Sequence, residues 1–77
     1  MLTRKGETMA ERLKRLRDAA KMTQEELAER SGTPVSSLRK YEQGKVLPRI
    51  DHAARLAVAL GCSLDELAGI DGPKRKK

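Results

Sequence analysis

Apolar residues along this chain recur every three or four positions, which is the period of an amphipathic α-helix rather than of a strand. The first run places four of them on one face: Met9, Leu13, Leu16 and Ala20. Thr8 precedes this run and Glu11 follows three residues later, so a capping box predicts a first helix that begins at Thr8. A solvated surface is expected for the charged residues of this segment, Arg12, Lys14, Arg15 and Asp18.

Two short helices are predicted next, with only two residues between them. The first begins at Thr23, which has Glu26 at the capping-box spacing, and ends before Gly32, where a left-handed C-cap is expected. The second is predicted from Pro34 to Gln43 with Thr33 as its N-cap, since proline suits the first turn of a helix, and it stops at Gly44. The inward-facing residues are Leu27, Ala28, Leu38 and Tyr41. The outer face of the second of these helices comprises Val35, Ser36, Arg39, Lys40 and Gln43.

The rest of the pattern predicts two more helices. One runs from about Arg49 to Leu60 before Gly61, with an apolar face made of Ile50, Ala53, Leu56, Ala57 and Leu60. Ser63 and Glu66 form a third capping box for a last helix from Leu64 to Ala68. The chain is therefore predicted to be all-α, a compact bundle of five short helices over residues 8–70. A flexible extension is expected at residues 1–7 and a basic tail at residues 71–77.

Composition supports the helical prediction and argues against several functions. Tyr41 is the only aromatic residue of the 77, whereas a sheet sandwich needs many aromatic and β-branched residues. A core of this size contributes only about 3–5 kcal/mol, which argues against a deep catalytic cleft. Cys62 is the only cysteine and His52 the only histidine, so neither an internal disulfide nor a structural zinc site can form. We expect no enzyme activity, no cofactor and no small-molecule ligand.

Neither a membrane span nor a signal peptide is expected. No apolar run reaches the roughly 18 residues that a membrane span needs, and no apolar signal-peptide segment follows Met1. The sequence therefore predicts a cytoplasmic protein.

Charge alone does not predict the partner. The chain carries 17 basic and 11 acidic residues, a net charge of +6. Four of the basic residues form the terminal run Lys74, Arg75, Lys76 and Lys77, and without them the excess falls to +2. Such a short run is interpreted as a solvated tail, with a loose phosphate contact as the alternative. A prediction of nucleic-acid binding therefore needs a structured motif as well as positive charge.

Residues 23–44 supply such a motif. A connection of two residues is too short to let the flanking helices lie antiparallel, so they are expected to cross steeply, as in a helix-turn-helix. The second helix is polar on its free face and can enter a major groove about 12 Å wide. The N-terminus of the first helix would offer N–H groups to a phosphate.

The residues of this motif follow a pattern found in a known family. They are Thr23-Gln24-Glu25-Glu26-Leu27-Ala28, Gly32, Ser37-Leu38, Tyr41-Glu42-Gln43-Gly44 and Pro48. Together they resemble the Cro/CI-type (XRE-family, lambda-repressor-like) helix-turn-helix of phage repressors, and residues 56–67 continue the pattern. The resemblance covers about Met9 to Ile70. It implies a sequence-specific regulator of transcription that binds double-stranded DNA with its third helix, residues 34–43, in the major groove.

The resemblance also implies roles for individual residues. The positions that face base edges are Val35, Ser36 and Lys40. Arg39 lies next to that face and is a further candidate for base recognition, with a phosphate contact or a plain surface position as the alternative. Contacts to DNA phosphates are implied for Thr23, Gln24, Gln43, Lys45 and Arg49. Gln24 would in addition brace the third helix.

Scaffold roles are implied for a further set of residues. Arg17 and Glu42 match an ion pair that ties the recognition helix to the first helix, with two unrelated surface charges as the alternative. Cys62 occupies the position of a small aliphatic residue, which favours a buried apolar side chain over a redox thiol. Tyr41 is expected in the core with its hydroxyl at the edge, and His52 is expected to be exposed.

Two functions remain open from the sequence. The first is the DNA-binding regulator, and the alternative is a protein-interaction module, either a coactivator-like bridge or an antitoxin-type partner. Because one such module contacts few base pairs, a regulator is expected to act as a homodimer on a near-palindromic site. The candidate dimer surface is the last helix with Leu64, Leu67 and Ile70, although closure of the core is the favoured role for these side chains.

Overall fold

The computed structural model describes residues 7–69 of this chain, and these residues form five α-helices and no strand. The helices are α1 (Met9–Ala19), α2 (Gln24–Ser31), α3 (Val35–Gln43), α4 (Ile50–Leu60) and α5 (Leu64–Ala68). The prediction of an all-α fold with five short helices is confirmed. Residues 1–6 of the predicted N-terminal extension, Ile70 and the basic tail lie outside the described residues, so the predictions for them are not tested.

Local signals start and stop most of these helices as predicted. Thr8, Thr23 and Ser63 each form a complete capping box, in which the hydroxyl oxygen accepts a hydrogen bond from the amide three residues later. Gly32, with φ at 71°, ends α2 in the left-handed region that other residues rarely adopt. These caps satisfy backbone groups that would otherwise lack a partner, so they fix the helix ends independently of the tertiary structure.

The start of α3 differs from the prediction. Pro34, not Thr33, is the N-cap, and the helix begins at Val35. The amide of Thr33 donates to the carbonyl of Ala28 at 3.0 Å, so this residue completes the end of α2 instead of opening α3. Thr33 is buried and its hydroxyl has no hydrogen-bond partner among the described residues. The start of α4 differs by one residue, since Arg49 is its N-cap.

One fully buried leucine from each helix forms the centre of the core. These residues are Leu13, Leu27, Leu38, Leu56 and Leu67, each with no exposed surface. Helix α2 packs on α3 and α4, while α1 packs on α3 and α5. Because Leu67 closes the core, the favoured role for it is confirmed and it is not available to a dimer surface.

Two predicted core residues lie at helix ends and are exposed. Ile50 is the first residue of α4 and is 75% exposed. Ala20 follows the end of α1 and is also exposed, just before Lys21 turns the chain with a φ of 60°.

Arg12 is the largest departure from the expected solvated face of α1, because it is only 4% exposed. Its Nη1 donates to the carbonyl oxygen of Leu67 at 3.0 Å, and its Nη2 donates to that of Glu7 at 3.1 Å. The Leu67 carbonyl lies in the last turn of α5, where no amide within the helix can reach it. Arg12 therefore supplies the missing donor and joins α1 to α5.

Gly69 has no side chain, and the Arg12 guanidinium occupies the space where a Cβ atom would lie. A Cβ atom added at Gly69 would lie 2.5 Å from Nη2 of Arg12. The residue also has a φ of 80°, in the left-handed region. Gly61 has a comparable φ of 74°, but a Cβ there would meet nothing within 4 Å.

These two glycines allow a matched test of the Arg12 contact. We expect Gly61→Ala to lower the free energy of unfolding by about 1–2 kcal/mol, the cost of a left-handed alanine. Gly69→Ala should cost more, because it also displaces the guanidinium from the Leu67 carbonyl. Urea unfolding followed by circular dichroism measures both. Equal losses for the two variants would show that the Arg12 contact adds nothing to stability.

Candidate nucleic-acid interface

Helices α2 and α3 and the turn between them form the candidate interface. The turn contains only Gly32, Thr33 and Pro34, and it positions α3 across α2. Leu27 and Ala28 of α2 pack in the core together with Leu38 and Tyr41 of α3, as predicted. The opposite side of α3 is left to solvent.

The predicted base-reading residues divide into two groups. Ser36, Arg39 and Lys40 are exposed on the outer face of α3. Val35 was expected on that face but is half-buried and packs against the core. Val35 is the first residue of α3. Part of its branched side chain packs against the core, and the rest remains accessible to solvent.

Glu42 is the centre of a polar network behind this face. Arg17 of α1 contacts it with two nitrogens, Nε to Oε2 at 2.7 Å and Nη2 to Oε1 at 3.0 Å. Nε2 of Gln24 in α2 donates to the same Oε1 at 3.0 Å. The carboxylate thus accepts hydrogen bonds from two helices, so it fixes α3 to both of them.

The Arg17–Glu42 pair is nearly enclosed, with side chains 11% and 4% exposed. Nη1 of Arg17 also donates to the carbonyl of Met22 at 2.8 Å, so the guanidinium spans the connection between α1 and α2. The hydrogen bonds to Glu42 raise the pKa of Arg17 above its ordinary value. The structure therefore brings together the two residues that the sequence paired.

The first turn of α2 presents a group of donors beside α3. The Thr23 hydroxyl oxygen accepts from the Glu26 amide at 3.0 Å, and the Thr23 amide is bonded to the Glu26 carboxylate. The amides of Gln24 and Glu25 precede the first hydrogen bond within the helix, so they remain available to an anion. Thr23 itself is exposed, while the Gln24 side chain is half-buried by its contact with Glu42.

Three further predicted phosphate contacts lie at the other end of α3. Gln43, Lys45 and Arg49 are all exposed, and they follow one another from the last residue of α3 to the N-cap of α4. Nη2 of Arg49 donates to Oδ2 of Asp51 at 3.1 Å. Lys45 has no ion-pair partner among residues 7–69.

Two contacts of α3 were missed by the sequence analysis. His52 was expected to be exposed, but it is half-buried and its Nδ1 lies 2.7 Å from the Tyr41 hydroxyl. Tyr41 itself is buried as expected. Nη2 of Arg39 donates to Oε2 of Glu25 at 3.0 Å. Both contacts join residues at least eleven positions apart, so no local spacing could indicate them.

Outside the candidate interface, the described residues include one cysteine and no cluster that could hold a metal ion. Cys62 is half-buried and packs against the core, and burial raises the pKa of its thiol. Across residues 7–69, no group of three His, Cys, Asp or Glu side chains could hold a metal ion. In the same part of the chain, no helix is long and apolar enough to cross a membrane.

Comparison with known proteins agrees with this geometry. The helix-turn-helix family model matches residues 13–67, which span all or part of the five helices. The chain belongs to the helix-turn-helix family. The prediction of a Cro/CI-type (XRE-family) regulator fold is thereby confirmed at the level of the family.

A curated relative of this helix-turn-helix chain is the cryptic phage CTXphi transcriptional repressor RstR of Vibrio cholerae. The two sequences are 41% identical over 59 residues, which is 77% of this chain and 53% of the repressor. The helix-turn-helix chain thus spans about half the length of that protein. No solved structure matches it.

The Arg17–Glu42 pair gives a test of what holds α3 in place. Arg17→Ala leaves a nearly enclosed carboxylate without its cation, so we expect a loss of about 3 kcal/mol, at the low end for a buried pair that loses one partner. Lys14→Ala, which changes an exposed charge of the same helix, should stay within about 0.5 kcal/mol of wild type. Urea unfolding at neutral pH measures both variants. Similar stabilities for the two would show that the pair does not hold the scaffold together.

Proposed function

We propose that this helix-turn-helix domain binds double-stranded DNA sequence-specifically and regulates transcription, with α3 in the major groove. The observation that carries the proposal is the exposed face of α3, held to α1 and α2 through Glu42. A rigid helix with a free polar face is what major-groove recognition requires.

The exposed face has suitable chemistry and dimensions. Helix α3 has nine residues and is about 13 Å long, and the diameter of an α-helix with its side chains, about 10–12 Å, fits a major groove about 12 Å wide. Lys40 can donate to the acceptors of guanine, Ser36 can donate or accept, and Arg39 can make a bidentate contact with guanine. The exposed part of Val35 is suited to a thymine methyl group.

Phosphate contacts on both sides of this face would fix the register of α3. At one end lie Thr23, Gln24 and the free amides of the first turn of α2, and at the other lie Gln43, Lys45 and Arg49. Such contacts carry no sequence information, but they position the helix that does. The carboxylate of Glu42 would keep the Gln24 side chain in place for this role.

We further propose that the domain acts as a homodimer through a surface beside α5. Leu47 and Ile50 are 78% and 75% exposed, and with Leu64 and Ala68 of α5 they line a groove of about 270 Å³. Adjacent exposed apolar side chains of this size are typical of protein interfaces. Two copies would double the number of base pairs contacted and would favour a two-fold symmetric site.

The similarity to the phage transcriptional repressor RstR supports a role in repression. We propose that this chain represses transcription by occupying an operator. A domain that binds tightly with a helix in the major groove can block transcription without a catalytic step.

Selection from randomised duplexes at near-physiological salt tests the function. We expect an enriched sequence with two similar half-sites about 34–36 Å apart. Ser36→Ala and Lys40→Ala should each change the preference at particular base pairs by about 1–3 kcal/mol. Lys14→Ala, an exposed change on α1, serves as the control and should leave the profile unaltered. No enrichment with the wild-type protein would contradict the proposal and would favour a protein-interaction module.

Phosphate contacts should respond differently from base contacts. Lys45→Ala is expected to weaken binding to all duplexes alike and to reduce the slope of log K against log salt by about one unit. Gln24→Ala should also weaken binding uniformly, and circular dichroism would check that its lost contact with Glu42 leaves the fold intact. Fluorescence anisotropy titrations over a salt series give both quantities. A loss confined to one base pair would assign Lys45 to base recognition instead.

A further inference from the structure

Arg39 differs from the other exposed residues of α3 because its side chain is already engaged. Its Nη2 donates to Oε2 of Glu25 at 3.0 Å, and the two side chains are 48% and 66% exposed. Among the described residues, Lys40 has no ion-pair partner, and Ser36 is uncharged. The contact links the first turn of α2 to the outer face of α3, beside the donors assigned above to a phosphate.

The geometry leaves Arg39 able to contact DNA while it stays paired. A guanidinium has five N–H donors, and this contact uses a donor of one nitrogen only. The remaining donors can still face a base edge. Without a partner, an exposed arginine samples many rotamers and can reach any nearby phosphate, which carries no sequence information.

The position of Glu25 explains why a carboxylate can be kept so close to the proposed interface. It is the second residue of α2, where the positive end of the helix dipole favours a negative charge. A free carboxylate there would repel DNA phosphates, whereas the pair with Arg39 offsets that repulsion. The neighbouring Glu26 is occupied by the capping box, so Glu25 is the carboxylate of this turn that contacts α3.

We propose that Glu25 is a positioning residue for base recognition, which holds Arg39 in the orientation that reads a particular base pair and away from phosphates. This inference rests on the proposed function, since it requires that α3 lies in the major groove. It assigns to α2 a part in specificity as well as in phosphate binding.

A double-mutant cycle with a charge-matched control tests the proposal. The variants are Glu25→Gln, Arg39→Ala, the double variant, and Glu29→Gln. Glu29 is an exposed carboxylate of the same helix with no partner among the described residues, so its change removes the same charge without affecting Arg39. Affinities are measured for the selected duplex and for duplexes substituted at each base pair, and each variant is checked by circular dichroism.

We expect both glutamine variants to bind all duplexes more tightly, because each removes a negative charge. Only Glu25→Gln should also reduce discrimination, by about two- to fivefold, the range expected for an exposed ion pair. The reduction should occur at the base pair that Arg39→Ala identifies, and it should vanish when Arg39 is already alanine. High salt should diminish the coupling, because it screens exposed charges.

The outcomes separate this inference from the proposed function. If the wild-type protein prefers a sequence but Glu25→Gln behaves like Glu29→Gln at every base pair, the positioning role is wrong and the proposed function stands. The role is also wrong if Glu25→Gln loses discrimination equally in the Arg39→Ala background. If the wild-type protein has no preference among duplexes, both the proposed function and the role of Glu25 are overturned.

Discussion

The orientation of the third helix depends on the nearly enclosed carboxylate of Glu42. Helices of eight and nine residues have little stability of their own, so neither α2 nor α3 keeps a direction without tertiary contacts. Leu38 and Tyr41 anchor the inner face of α3, but apolar contacts are not directional. Glu42 adds direction, because it accepts hydrogen bonds from Arg17 of α1 and Gln24 of α2 at once. The hydrogen bonds of Glu42 therefore fix the direction in which the exposed face of α3 points.

Arginines of the first helix supply the connections that a small core cannot. The core centre consists of one leucine from each helix, and a domain of this size buries too little apolar surface to specify every helix angle. Arg12 reaches the last turn of α5, and Arg17 reaches α3 and the end of the α1–α2 connection. Each guanidinium contacts two separate groups, which a lysine ammonium on the same stem would hold with less defined geometry. Helix α1 therefore connects α3, α5 and the α1–α2 connection through its arginine side chains.

The first turn of α2 contacts both the Arg17–Glu42 pair and the proposed DNA-facing surface of α3. Gln24 contacts the half-buried Glu42 of α3, and Glu25 contacts Arg39 on the exposed face of α3. Two adjacent residues of α2 thus contact side chains three positions apart on α3, Gln24 in a half-buried contact and Glu25 in solvent. If α2 binds a phosphate as proposed, a shift of α2 would move both contacts, so phosphate binding and base recognition would be coupled in this arrangement.

The sequence by itself determined most of the helix ends, the inward leucines and the helix-turn-helix order, because caps and periodicity act within a few residues. Thr23 with Glu26 and Gly32 after α2 are of this kind, and the Arg17–Glu42 pairing came from the family resemblance. Only the tertiary structure decided the burial of Arg12, the contact of His52 with Tyr41, and the exposure of Ile50. Helical periodicity assigns a side chain to a face, but it does not say whether a neighbouring helix, a carbonyl or water lies opposite that face. For Arg12, the carbonyl of Leu67 is 55 residues away and is brought near only when the core closes.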